Sequence, residues 1–273
     1  MKALTIFRNL FLVVLALVFI AILVLAGIIL YDTVFPAQRV ENLTNVSYTA
    51  ADGTSLSGYL AQPAGNGPHP AVLMIHEFYG LNEEMVKKAD LLAKQGYVVL
   101  APDAYRGKTT SLVPRAIFLT VTTSREQIAG DIDAAYNYLV GQQAVDRSRV
   151  GVVGFCFGGT QALQLGIRNR NLAANVIFYG SGLITAPEQL GELGQKGPVL
   201  AIFGETDNSI PLDEVRAFEQ AMQARQITHD VTIYPEVGHA FVSYEGIFEP
   251  GAAQQAWQEM ERFLRKNLLE RAS

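Results

Sequence analysis

Residues 150–160 read Val-Gly-Val-Val-Gly-Phe-Cys-Phe-Gly-Gly-Thr. The run Val150 to Val153 has the apolar, β-branched character of a buried strand. It enters Gly154-Phe155-Cys156-Phe157-Gly158, which has the spacing of the nucleophile elbow G-x-S-x-G with cysteine in the serine position. An elbow carries its nucleophile on a tight strand-to-helix turn. Side chains two residues to either side would collide with neighbouring segments, so Gly154 and Gly158 fit the motif. The helix expected from Gly158 to Ile167 aims its N-terminus at the sulfur, which favours thiolate, as would a nearby histidine. The order is not the G-x-G-x-x-G of a dinucleotide site, and Gly158-Gly159-Thr160 lacks the lysine of a P-loop. The plain alternative is a packed cysteine on a tight turn. Cys156 is the only cysteine, so no internal disulfide forms.

Strands and helices alternate around this stretch. Asn45 to Ala50 and Thr54 to Ala61 read as a hairpin about Asp52-Gly53. Ala71 to Ile75, Tyr97 to Ala101, Asn175 to Tyr179, Val199 to Phe203 and Val231 to Tyr234 read as further strands. Helices are expected at Asn82 to Gln95 (Asn82 as N-cap), Arg125 to Gly141, Pro211 to Arg225 and Ala252 to Leu269. This order predicts an α/β fold: a mostly parallel sheet with helices on both faces and its site at the carboxyl ends of the strands. Ala104 to Ser124 is a long excursion with the makings of a lid or cap.

An elbow nucleophile needs an acid and then a base, in that chain order. Asp207 follows the strand ending at Phe203, and His239 follows the last strand. His239 would take and return the proton, with Asp207 fixing its tautomer. A turn-capping role is the alternative for Asp207, and a backbone-bonded loop role for His239. Glu205, Asp213 and Asp103 are reserve acids, Asp103 more in keeping with bracing its loop. His69 and His229 are expected to be solvated. His76-Glu77-Phe78-Tyr79-Gly80 fails the zinc pattern H-E-x-x-H at Gly80, and neither a metal nor a cofactor is implied. Ser181 and Ser209 lack elbow spacing.

Charged residues make up 17% of the 273 and the net charge is −5, which gives no sign of a nucleic-acid surface. Leu10 to Leu30 contains no charge. As a helix rising roughly 1.5 Å per residue it spans a bilayer core of about 30 Å. Lys2 and Arg8 precede it, so the N-terminus is expected in the cytoplasm and the following domain on the opposite side of the membrane. A cleaved signal peptide is the rival, but the run exceeds the usual apolar region of about 7–15 residues and no clear Ala-x-Ala site follows. The expected organisation is an anchor over 1–31, a tether over 32–42 containing Pro36, and one catalytic domain over 43–273.

The set His76-Glu77-Phe78-Tyr79-Gly80-Leu81-Asn82, Gly96 to Tyr105, the Gly130-Asp131 helix, the cysteine elbow and Gly238-His239-Ala240-Phe241 resembles the dienelactone hydrolase family from about Asn45 to Leu268. The resemblance implies the α/β-hydrolase fold and a Cys156, Asp207, His239 triad. Backbone N–H groups of Phe78 and Phe157 would form the oxyanion hole. Glu77 would be the carboxylate that helps convert thiol to thiolate when substrate binds; a capping or ion-pair role is its structural alternative. Family enzymes that cleave dienelactones hold the substrate carboxylate with arginines. Four residues past the histidine this chain has Ser243, and in the excursion Arg115 is the nearby arginine, which points to another substrate. The expected activity is hydrolysis of a small ester, lactone or thioester through an acyl-thioester. The competing function is a non-catalytic, membrane-tethered binding protein on the same fold.

Overall fold

The computed structural model describes residues 2–34 and 39–270; the tether's Pro36 and the last three residues lie outside them. Helix α1, Lys2–Val34, opens the chain. Its segment Asn9–Val34 has a mean hydropathy of 3.4 and is long and apolar enough to cross a membrane. The helix outlasts the expected anchor by three residues, and Val40 is already 1% exposed, packed into the domain core.

Strands β1 (Val46–Thr49) and β2 (Ser55–Ala61) form the expected antiparallel hairpin. Asp52 stabilises its turn by accepting from Thr54 N at 2.9 Å. The remaining strands are β3 (His69–Ile75), β4 (Val98–Pro102), β5 (Val145–Phe155), β6 (Ala174–Phe178), β7 (Val199–Gly204) and β8 (His229–Tyr234). They lie in one sheet of order β1-β2-β4-β3-β5-β6-β7-β8. The last six strands of that order run parallel; β2 joins β4 antiparallel. This is the α/β-hydrolase fold.

Side-chain alternation along each strand separates the two cores. On β3, Val72 and Met74 face one layer while Leu73 and Ile75 face the other. Helices α2 (Glu83–Lys94), α6 (Leu212–Ala224) and α7 (Ala252–Leu264) cover the first. Helix α4 (Arg125–Gly141), with Ala162 and Leu165 of α5 (Phe157–Arg168), covers the second. Every residue of β4, β6 and β7 is buried, as a strand sandwiched between helical layers requires.

Three boundaries differ from expectation. β5 starts at Val145, because pairing with β3 at His69 carries the ladder through the charged run 146–149. The last helix changes at Arg265 to a π-turn, Arg265–Leu269. The excursion contains a helix, α3 (Val113–Thr122), packed against the end of α1.

Candidate active site

The turn between β5 and α5 places Cys156 at φ 54°, ψ −113°. A non-glycine residue here carries about 1–3 kcal/mol of backbone strain. The strain persists because the turn is pinned from both sides. Cys156 N donates to Phe178 O at 3.0 Å, and Thr160 N donates to Cys156 O at 3.1 Å. The flanking glycines have no substitute. A Cβ on Gly154 would lie 1.9 Å from Gly158 O, and one on Gly158 would lie 2.2 Å from Ile75 O. Both obstacles are backbone, so they cannot swing aside.

Three strand ends converge at this turn. His239, after β8, has Nε2 3.1 Å from Cys156 Sγ. Its Nδ1 lies 2.6 Å from Asp207 Oδ2, after β7. The Asp207 side chain is fully buried, and Ser209 N donates to its other oxygen at 2.7 Å. Asp207 can only accept here, so Nδ1–H donates and Nε2 is left to face the thiol. Ser209 therefore helps to hold the Asp207 carboxylate in place. Ser181 lies off this line; its N donates to Thr160 Oγ1 at 3.0 Å.

The loop after β3 closes the site from the other side. The backbone N–H groups of Phe78 and Phe157 pull the Cys156 thiol down and so favour its thiolate. Burial and the Glu77 carboxylate outweigh them and push the thiol up to about 11. The expected thiolate preference is thus reversed in the resting site: desolvation and a like charge exceed what the helix terminus contributes. Glu77 is itself pushed up, chiefly by burial, against the pull of Lys88. Tyr179 Oη lies 3.5 Å from Glu77 Oε1, and its ring meets the His239 ring edge-on at 5.3 Å.

His76 fixes the loop. Its Nε2 accepts from Ala104 N at 3.1 Å, so its proton is on Nδ1 and donates to Glu77 O at 2.6 Å. Burial holds it down to about 4, hence neutral. Asp103 accepts from the backbone N of Tyr105 and Gly107, bracing the turn as expected. The other reserve acids are engaged locally: Glu205 accepts from Glu236 N and Asp213 from Glu214 N. His69 and His229 are half-buried rather than solvated, at the starts of β3 and β8, away from the carboxyl ends that hold the site.

Arg115 and Ser243 both have partners within the protein. Arg115 is 6% exposed, with Nε 3.2 Å from Asp32 Oδ2 and Nη1 donating to Ile29 O at 3.1 Å. Ser243 Oγ accepts from Gly246 N at 3.1 Å, capping a turn. The buried cation beside the site is Lys88, which the sequence reading did not single out. Its fully buried Nζ lies 2.8 Å from both Val242 O and Glu84 Oε1, and 4.6 Å from the Phe155 ring centre. Glu84 Oε1 also accepts from Tyr244 N at 2.8 Å. One sign of Lys88 was available: it stands on the apolar stripe Met85, Lys88, Ala89, Leu92. Tyr179 left no comparable trace.

Residues 56–268 match the model of the "Dienelactone hydrolase family". The chain belongs to the dienelactone hydrolase family. A Methylorubrum extorquens protein named "Putative carboxymethylenebutenolidase" is 30% identical over 223 residues, 77% of each chain. A Bradyrhizobium protein named "Probable 2-oxo-3-(5-oxofuran-2-ylidene)propanoate lactonase" is 32% identical over 228 residues, 80% of this chain and 92% of the other. Among solved structures, a dienelactone hydrolase-like promiscuous phosphotriesterase, P91, from metagenomic libraries superposes with a TM-score of 0.69 at 25% identity, covering 81% of this chain and 97% of its own. As a dienelactone hydrolase family member, this chain is a hydrolase of the lactone and ester class.

Proposed function

We propose that the chain hydrolyses a small ester, lactone or thioester through a covalent acyl-thioester on Cys156. The observation that carries this reading is the single imidazole of His239 standing between the Cys156 sulfur at 3.1 Å and the Asp207 carboxylate at 2.6 Å. The thiol proton passes to His239 Nε2 as the sulfur attacks the substrate carbonyl. The N–H groups of Phe78 and Phe157 receive the developing oxyanion. His239 returns the proton to the leaving alcohol or thiol, which in a lactone stays tethered to the acyl group. Water then loses a proton to His239, attacks the thioester and releases the acid and the free thiol.

Glu77 belongs to the first step. Its charge opposes ionisation of the thiol while the site is empty, and its own burial makes it ready to accept a proton. A substrate that displaces it from the sulfur removes that opposition, so the nucleophile ionises when there is something to attack. Neither Arg115 nor Ser243 offers a free cation to a substrate carboxylate, which favours an acyl group other than that of a dienelactone. Arg115 is committed to Asp32, and position 243 holds a serine.

The helix Asn9–Val34 anchors the enzyme in a membrane, with Lys2 and Arg8 holding the N-terminus in the cytoplasm and the catalytic domain on the other side. The test of the chemistry is turnover of short p-nitrophenyl esters and acyl thioesters by the full chain, with mass spectrometry of the trapped protein. Acyl adducts on Cys156 and loss of turnover in Cys156→Ala are expected. Undiminished turnover in that variant would end the mechanism.

A further inference from the structure

Outside α1, the large hydrophobic side chains exposed among the described residues are Val113, Ile117, Phe118, Val121 and Phe248. Four of these five lie on the one ten-residue helix α3. Val113, Ile117 and Val121 follow each other at four-residue intervals and Phe118 sits beside them, so they form one stripe. Their exposures run from 46% to 72%. An apolar stripe this concentrated marks a contact surface rather than scattered surface residues.

The neighbour of α3 says what that contact is. The only charge in α3 is Arg115, and it is turned away from the stripe into the last turns of α1. There it meets Asp32, whose Oδ2 also accepts from Thr110 Oγ1 at 2.6 Å. Arg115 Nη1 additionally donates to Thr33 Oγ1. The stripe on α3 is thereby fixed beside the end of the segment Asn9–Val34, whose most apolar window has no share buried in the protein. A helix of about 15 Å with an uncharged apolar face, held against a membrane-length helix where that helix ends, has the form of an interfacial helix.

We propose that the exposed face of α3 is a second membrane contact, immersed in the acyl chains and headgroup boundary of the bilayer that α1 crosses. The proposal rests on α1 being a membrane span. Its consequence reaches the active site. Tyr105 Oη is 3.0 Å from Thr120 Oγ1 of α3, and the Tyr105 ring lies 5.2 Å from that of Phe157, next to the nucleophile. Seating α3 in lipid holds the catalytic domain at one fixed tilt, with Tyr105 linking that helix to the elbow.

Depth-dependent fluorescence quenching tests this in the full chain. Cys156→Ser leaves no native thiol, and Leu23→Cys, Ile117→Cys, Val121→Cys and Gln220→Cys each add one reporter site for an environment-sensitive dye. Gln220 is exposed on α6, at the other edge of the sheet. The proteins are placed in phosphatidylcholine nanodiscs with ordinary or brominated acyl chains. Brominated lipid is expected to quench the dye at 23, 117 and 121 and to leave 220 unchanged. Quenching at 23 without quenching at 117 and 121 overturns the proposal and keeps the anchor. An unquenched dye at 117 and 121 that is still blue-shifted shows a protein partner covering the stripe, which also overturns it. No quenching at 23 removes the membrane reading itself.

Discussion

At Cys156 two opposed influences meet. The N–H groups of Phe78 and Phe157 favour thiolate, while burial and Glu77 favour thiol, and the thiol wins, pushed up to about 11. A pKa raised by two units lowers the thiolate fraction near neutrality by roughly 100-fold. The sign follows: a raised acid stays protonated below its new pKa and ionises only as pH climbs through it. Iodoacetamide alkylation of Cys156 in the free enzyme is expected to keep rising from pH 9 towards 11, and a plateau by pH 9 would contradict the balance. Glu77→Gln removes the like charge, so alkylation at pH 8 should accelerate. The same variant should slow ester turnover, because the carboxylate no longer helps ionise the thiol when substrate arrives. The two readouts move in opposite directions, which a merely structural role for Glu77 would not produce. Asp207→Asn leaves the shape intact but removes the acceptor that selects the tautomer of His239. Turnover should fall by about 10²–10⁴-fold with little change in KM.

Helix α2 does more than cover the sheet. Asn82 caps it by accepting from Met85 N at 3.0 Å. Lys88 and Glu84 then reach from its first turns to Val242 and Tyr244, in the loop that carries His239. Lys88→Met keeps the aliphatic stem and deletes the ammonium. It should destabilise the fold by about 1.5–3 kcal/mol, the range for hydrogen bonds to charged groups. Denaturant unfolding would read that loss, and kcat should fall with it as the histidine loop loosens. The elements themselves were legible because each residue obeys a local rule. The elbow glycines, the Asn82 cap and the buried strands announced themselves by spacing, and so did the order of Cys156, Asp207 and His239. What escaped depended on partners distant in sequence. Arg115 is claimed by Asp32 through the docking of α1, and β5 gains its first residues by pairing with His69. Helix α3 was hidden because apolar side chains stand on both its buried and its exposed sides, so no polar face marks it as a domain helix. Lys88 did lie on an apolar stripe, but its partner Val242, and Tyr244 that bonds its neighbour Glu84, come to it only through the fold.

Over the whole molecule, α1 meets the following domain through a buried ion pair. The Asp32 and Arg115 side chains are 5% and 7% exposed. A buried pair contributes little net stability, because desolvation offsets its attraction, but removing one member strands the other. Arg115→Ala should therefore cost about 3–5 kcal/mol at this junction, unless α1 undocks and carries Asp32 back to water. Asp32→Ala should be milder, since Arg115 keeps Ile29 O and Thr33 Oγ1 as acceptors. The double variant should be less damaged than the sum of the singles, with a coupling of about 0.5–3 kcal/mol. Thermal unfolding of the four proteins in the same phosphatidylcholine nanodiscs measures that cycle. Additive losses would mean that the pair does not act as a unit and that α3 is held beside the anchor by packing alone. A coupling in the expected range would make the Asp32–Arg115 contact the joint that holds α3 beside α1.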